Sequence, residues 1–242
     1  MEHLLLTDYQ KIICRNPLFS GMADGELKES VALMGGNIRE YEKGELLHQP
    51  WSGFPGFGLV LSGVVQACCD DYDGNRMIMA EVLPGVTFGE SLYFLQVTDS
   101  PVYIYASEDA AVLWLFLDHL YRGSTEPRVQ EMEKRFTALI ASRAIGMNNR
   151  IQVLSKITIR DKLLVYFSQM SESAGCTTFT VPLNREDMAT YIGTNRTALS
   201  RELSKMKQEG IIEYRKNVFV LKNKSKQMKS VAFATTFLPL IP

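Results

Sequence analysis

Long apolar runs are the first thing this chain lacks. Its longer stretches, such as AAVLWLF at 110–116, fall far short of the roughly 20 residues that cross a bilayer, so no membrane partner is expected. Cysteine and histidine are scarce. The cysteines are Cys14, Cys68, Cys69 and Cys176, with no C-x-x-C pair, and the three histidines are isolated. That supply does not furnish a structural zinc site, and a disulfide framework is not expected of it either. A Ser-His-Asp set and a phosphate loop are also missing, and GESLY does not have the G-x-S-x-G spacing, so the chain reads as non-catalytic. MEHLLLTDYQ has neither a basic n-region nor a small-residue cleavage site. It reads as the start of a helix, with the protein in the cytoplasm.

What is present suffices for a folded core: 46% of the 242 residues are hydrophobic and 22% are charged. The net charge of −1 hides a split. Lys156 to Lys229 holds 14 Lys and Arg against 7 Asp and Glu, whereas residues 1–155 hold 12 against 20. An acidic module joined to a basic one is implied, and the basic one has the electrostatic footprint of a polyanion binder.

The pattern along the chain changes three times. Residues 4–34 read as short helices, with Tyr9, Ile12 and Ile13 on one face and Leu27, Val31 and Met34 on another. Over 36–118, short apolar stretches alternate with turn signals, as expected of a β barrel or roll; Asp73-Gly74 is a hairpin turn. From Ser124 and Thr125, which can cap a helix, no proline follows Pro127 for more than fifty residues. There Met132, Leu139, Gly146 and Val153 recur every seven residues, as do Val129 with Phe136, and Ile140 with Met147 and Leu154. Such a seam suits a partner helix or the chain's own β domain, one face for each; Met132, Phe136, Leu139, Ile140 and Met147 are assigned to a dimer seam.

The strongest signal lies at LNREDMATYIGTNRTALSRELSKMKQEGIIEYRKNVFVL. Asn184 sits where an N-cap belongs, with Asp187 three residues on. Gly193 falls where the chain must turn, and Asn195 caps a second helix that buries Leu199, Leu203 and Met206. Helix, tight glycine turn, helix is the helix-turn-helix pattern. Arg196, Thr197, Ser200 and Arg201 stand together near the start of the second helix. There arginine can bond guanine bidentately, and hydroxyls can donate or accept. Asn195 and Arg185 suit phosphate oxygens. EGIIEYRKNVFVL adds a two-stranded wing with Arg215 and Lys216 at its tip.

With these residues in place, the chain resembles the CRP/FNR family of bacterial transcription regulators over nearly its whole length. NPLFSGM (16–22) is similar to the family's N-terminal helix entry. EKGELL, LVLSGVV, DGNR, LPGVTFGES and YASEDAAVLWL are similar to the strands of its roll, and GTNRTALSRELSKMKQEGII to its DNA-reading motif. The resemblance implies an α+β architecture. A cyclic-nucleotide-type β roll (jelly-roll) at 1–122 precedes a dimerisation helix at 123–155 and a winged helix-turn-helix at 156–229, with an apolar tail at 230–242. It also implies a homodimer on double-stranded operator DNA, moved between two states by a small effector, with RNA polymerase as a further partner.

Departures from the pattern narrow the effector. Family members that bind cyclic AMP carry Gly-Glu and, some ten residues on, Arg then Ser or Thr. Gly89 and Glu90 match, but Thr98-Asp99-Ser100-Pro101 has no arginine for a phosphate. Only Cys14 lies where an N-terminal iron–sulfur set would be, and no Cys or His replaces Gly89, Glu90 or Ser91, so neither a cluster nor haem is supported. Adjacent Cys68 and Cys69 point to opposite faces of a strand and carry no function in this reading. An aromatic or hydrophobic effector is assigned to Phe88, Gly89, Glu90, Ser91, Ser100 and Tyr103, with ordinary roll core as the alternative for the apolar and aromatic side chains. Tyr93, Phe94 and Tyr105 stand nearby, with Met147 or Asn148 from the dimer helix. Control without a ligand, by redox state or a partner, and a role as a nucleotide-binding module are the alternatives. At the recognition helix, Thr197 stands where the cyclic-AMP-responsive pattern has a glutamate, so the reader of cytosine N4 is missing.

Overall fold

The computed structural model describes residues 2–118, 120 and 124–222. The chain divides into two compact units, residues 1–141 and 142–242, and the division falls inside a long helix.

In the first unit, α1 (Glu2–Ile13) and α2 (Asp24–Leu33) precede eight strands: β1 (Asn37–Tyr41), β2 (Leu46–His48), β3 (Phe57–Ser62), β4 (Val65–Asp70), β5 (Arg76–Val82), β6 (Thr87–Phe88), β7 (Tyr103–Ala106) and β8 (Ala110–Leu115), with α3 (Glu90–Phe94) between β6 and β7. They form two four-stranded antiparallel sheets, in the orders β1-β8-β3-β6 and β2-β7-β4-β5. AAVLWL is buried at every position because β8 is covered on both faces. Leu113 and Leu115 join Leu59, Leu61 and Phe57 against the helices, while Val112 and Trp114, with Val60 of the same sheet, pack with Val65 and Ile104 of the other. Close approach sets one glycine: a Cβ on Gly58 would meet the Phe88 ring at 2.3 Å.

The long helix α4 (Pro127–Leu154) starts where Ser124 and Pro127 predict, with the Ser124 hydroxyl accepting from the Glu126 N–H. Its first half corrects the seam assignment. Met132, Phe136 and Leu139 are 0%, 2% and 4% exposed inside a single chain. Met132 and Phe136 pack with Val129 in the roll's own core, and the Phe136 ring lies 5.5 Å from Phe57. No surface is left on these three for a second subunit. Apolar periodicity fixed the inward face and could not say which protein lay behind it. Phe136→Ala is therefore expected to destabilise the roll by about 3–5 kcal/mol, read by denaturant unfolding. Ile140 is half-buried, and Met147, the last member of the assigned seam, is 67% exposed.

The second unit comprises α5 (Ile159–Ser173), β9 (Thr178–Thr180), α6 (Arg185–Ile192), α7 (Arg196–Gln208), β10 (Ile212–Arg215) and β11 (Val218–Leu221), with the sheet order β10-β11-β9. Its core holds Val153 from the end of α4 with Phe167, Ile192, Leu199, Leu203 and Phe219. Among the described residues no helix is long and apolar enough to cross a membrane. The tail at 230–242 lies outside the described residues.

Candidate nucleic-acid interface

Local chemistry places the two helices α6 and α7. The Asn184 side-chain oxygen accepts from the N–H groups of Glu186 (2.8 Å) and Asp187 (2.9 Å), satisfying donors that the first turn leaves open. Glu186 and Asp187 add negative charge at the positive end of the helix. Gly193 closes α6 at φ 67° and ψ 56°, a left-handed conformation costly for a residue with a Cβ. Asn195 then caps α7 by accepting from the Ala198 N–H at 2.8 Å, which leaves its amide nitrogen as a free donor type at the helix start.

Buried Leu199, Leu203 and Met206 fix the rotation of α7. Arg196, Thr197, Ser200 and Arg201 are consequently exposed together on the opposite side. Among the described residues no carboxylate is paired with Arg196 or Arg201. The face thus keeps two ungated guanidinium groups and two hydroxyls, the donor and acceptor set that reads base edges. Ser204 extends it and was missed, although it stands four residues beyond Ser200; its hydroxyl bonds back to the Ser200 carbonyl at 3.0 Å.

Arg185, expected to contact a phosphate, also makes contacts within the chain. Its Nη2 donates to the Lys216 carbonyl at 2.8 Å, and its guanidinium lies over the Tyr214 and Phe219 rings, 5.3 and 5.0 Å from their centres. Its Nη1 is buried without a partner, and the residue as a whole is half-buried. Burial lowers the pKa of this group from its ordinary value. Lys216 itself is exposed on the turn between β10 and β11.

A brace that sequence reasoning did not find holds α7 from behind. Arg160, in the first turn of α5, bonds Glu202 through Nε at 2.6 Å and both oxygens of Glu209 at 2.7 and 3.0 Å. The paired guanidinium holds the Glu209 carboxyl below its usual range. Its stabilising effect is therefore complete above the ordinary glutamate pKa and is lost as pH falls through the lowered one. Arg160→Gln is expected to lower the Tm by a few degrees at neutral pH, and by less in acid, in thermal unfolding at the two pH values.

The effector residues assigned in the roll do not converge. Phe88 is 5% exposed, edge-on to Trp114 at 5.6 Å, in the packing between the sheets. Gly89 is at φ 80°, facing the Phe54 ring; Glu90 is 2% exposed, Ser91 is exposed, and the Ser100 hydroxyl accepts from the Val102 N–H. Tyr103 goes the other way. Ile104 and Ala106 occupy the interior, so strand alternation sends Tyr103 and Tyr105 to the outer face. There the Tyr103 hydroxyl donates to Asp70 at 2.8 Å and accepts from Arg76 Nε at 3.1 Å, and the Tyr105 hydroxyl bonds Gln66. They line a cleft of about 560 Å³ with Arg76 and Leu46. Phe94 packs on Phe136 at 6.0 Å, and Met147 belongs to the second unit.

Two family patterns match the chain: a cyclic nucleotide-binding domain over residues 38–122 and a Crp-like helix-turn-helix domain over 150–226. The chain belongs to the CRP/FNR family. It is 25% identical over 183 residues to the transcriptional activator protein FnrL of Cereibacter sphaeroides, covering 72% of this chain and 71% of that protein. Among solved structures, the Thermus thermophilus catabolite activator protein is 21% identical at a TM-score of 0.44, over 91% of this chain and 100% of that one. FixK2 of Bradyrhizobium japonicum is 22% identical at 0.43, over 80% and 96%. The family is one of DNA-binding transcription regulators, and α6 and α7 lie within the matched helix-turn-helix domain.

Proposed function

We propose that this regulator acts as a homodimer on a two-fold symmetric operator, and that an effector other than cyclic AMP sets its affinity. The carrying observation is the face of Arg196, Thr197, Ser200 and Arg201, held outward by two asparagine caps and a buried apolar stripe. Arg196 and Arg201 reach base edges, Thr197 and Ser200 add hydroxyl contacts, and Asn195 and Lys216 bind phosphates.

Dimerisation is supported by the second half of α4. Ile140, Ala144, Met147, Ile151 and Leu154 follow one another at alternating spacings of four and three, with Met147 and Ile151 67% and 62% exposed. An apolar row of that period suits a matching helix. Control is supported by the same helix, because Phe136 belongs to the core of the roll and Val153 to that of the DNA-binding unit. A change of packing in the roll then has one continuous helix through which to bias the other unit. Cyclic AMP is disfavoured by Asp99, which would repel a cyclic phosphate near Gly89 and Glu90.

A second reading, control by redox state or a partner protein without a ligand in the roll, has one observation in its favour: Phe54, Phe88 and Trp114 fill the space between the sheets. Native mass spectrometry of the purified protein, paired with mobility shifts on DNA, separates the two. A dimer with bound small-molecule mass and ligand-dependent shifts is expected. Tight binding by a dimer with no added mass would favour the second reading.

A further inference from the structure

The turn between β10 and β11 contains an anomaly. Lys216 is the first central residue of a two-residue hairpin loop and has φ 53°. That is the left-handed region, which glycine enters freely and a lysine does not. Strain of this kind persists only where surrounding contacts over-determine it. Two contacts do so here: Arg185 Nη2 donates to the Lys216 carbonyl at 2.8 Å, and the Val181 N–H donates to the Asn217 carbonyl at 2.8 Å.

Arg185 is an expensive residue for a small task. Its Nη1 is buried and unpartnered, and its guanidinium lies over the neighbouring Tyr214 and Phe219 rings. Capping of α6 does not need it, since Asn184 already fills that role. What its placement achieves is geometric. It ties the start of α6 to the wing tip, and so sets Lys216 relative to the helix-turn-helix that α6 begins. A glycine at 216 would give the same turn without strain. The lysine adds a cation on an exposed tip.

We propose that Arg185 is a positioning residue for DNA binding: it locks the wing tip so that the Lys216 ammonium meets a backbone phosphate in register with the recognition helix. This rests on the DNA-binding reading above. Arg185 acts through Lys216 and touches no DNA itself, so its contribution disappears when the lysine is gone.

The test is a double-mutant cycle read by fluorescence anisotropy over a salt series. The probe is a duplex enriched from a random library by the wild-type protein. Lys216→Gly relieves the strained φ and removes the cation. It is expected to retain the fold, weaken binding by about tenfold and lower the log–log salt slope by about one per subunit. Arg185→Met keeps an apolar stem over the rings and removes the clamp. Alone it is expected to reproduce most of that loss and the same drop in slope; added to Lys216→Gly it costs little more. Additive losses would overturn the proposal. So would an unchanged affinity and slope in Lys216→Gly, a variant whose fold does not depend on the clamp. Failure of the wild type to enrich any duplex would remove the DNA-binding reading itself, and this inference with it.

Discussion

Arg201→Ala is expected to abolish specific operator binding while leaving fold and dimer intact. Arg201 is exposed, has no carboxylate partner among the described residues, and contributes nothing to the buried stripe of Leu199, Leu203 and Met206. Its loss should therefore leave the Tm nearly unchanged. A bidentate arginine–guanine pair is worth about 1–3 kcal/mol of discrimination per half-site. A symmetric dimer loses that twice, roughly 30-fold or more in affinity. Quantitative mobility shifts on matched and point-altered duplexes provide the measurement. The variant should also stop distinguishing the base pair that Arg201 reads, whereas a phosphate contact would weaken all sequences alike. Unchanged affinity and preference would remove α7 from the base-reading role.

The second large effect concerns the dimer. Glutamates at Met147 and Ile151 together are expected to leave a folded monomer. Both side chains are more than half exposed in the single chain, so the substitution costs the subunit's own fold little. In a helix-to-helix seam it would bury carboxylates against apolar partners, at about 3 kcal/mol or more. Sedimentation equilibrium should show the dimer dissociation constant raised by about a hundredfold or more. The DNA-binding unit of each monomer should keep its helical signal. Dimers of undiminished strength would place the seam elsewhere.

Where the sequence was legible, short-range chemistry was doing the specifying. Asn184, Gly193 and Asn195 announce helix starts and a turn because their preferences act within three or four residues. The strands from Phe57 to Leu115 announce themselves through apolar runs and glycine turns, and the two families matched cover that same ground. What was illegible depends on partners distant in the chain. A seven-residue repeat says that Met132 and Phe136 face the same way as their neighbours along the helix; it cannot say that the two meet Phe57 and the roll's core. The Arg185–Lys216 contact spans 31 positions and the Arg160–Glu209 contact 49, and no local pattern encodes either. Tyr103 was recoverable. The alternation Tyr103-Ile104-Tyr105-Ala106, with the aliphatic pair taken as inward, sends both tyrosines out of the roll. Aromatic character drew them into a pocket that their strand parity excludes.

The same contrast separates secure chemistry from open chemistry at the DNA-reading end. The caps and the buried stripe determine that Arg196, Thr197, Ser200 and Arg201 face outward. Thr197 lacks the carboxylate that would accept from cytosine N4, so preference at that base pair should be weak.

The most direct measurement is selection of a random-sequence duplex library by the purified wild-type protein, followed by footprinting of the enriched DNA. The account predicts one two-fold symmetric site with half-sites about one helical turn apart, each with a strong guanine preference. Enrichment of a site without symmetry, or no enrichment at any salt concentration, would contradict it.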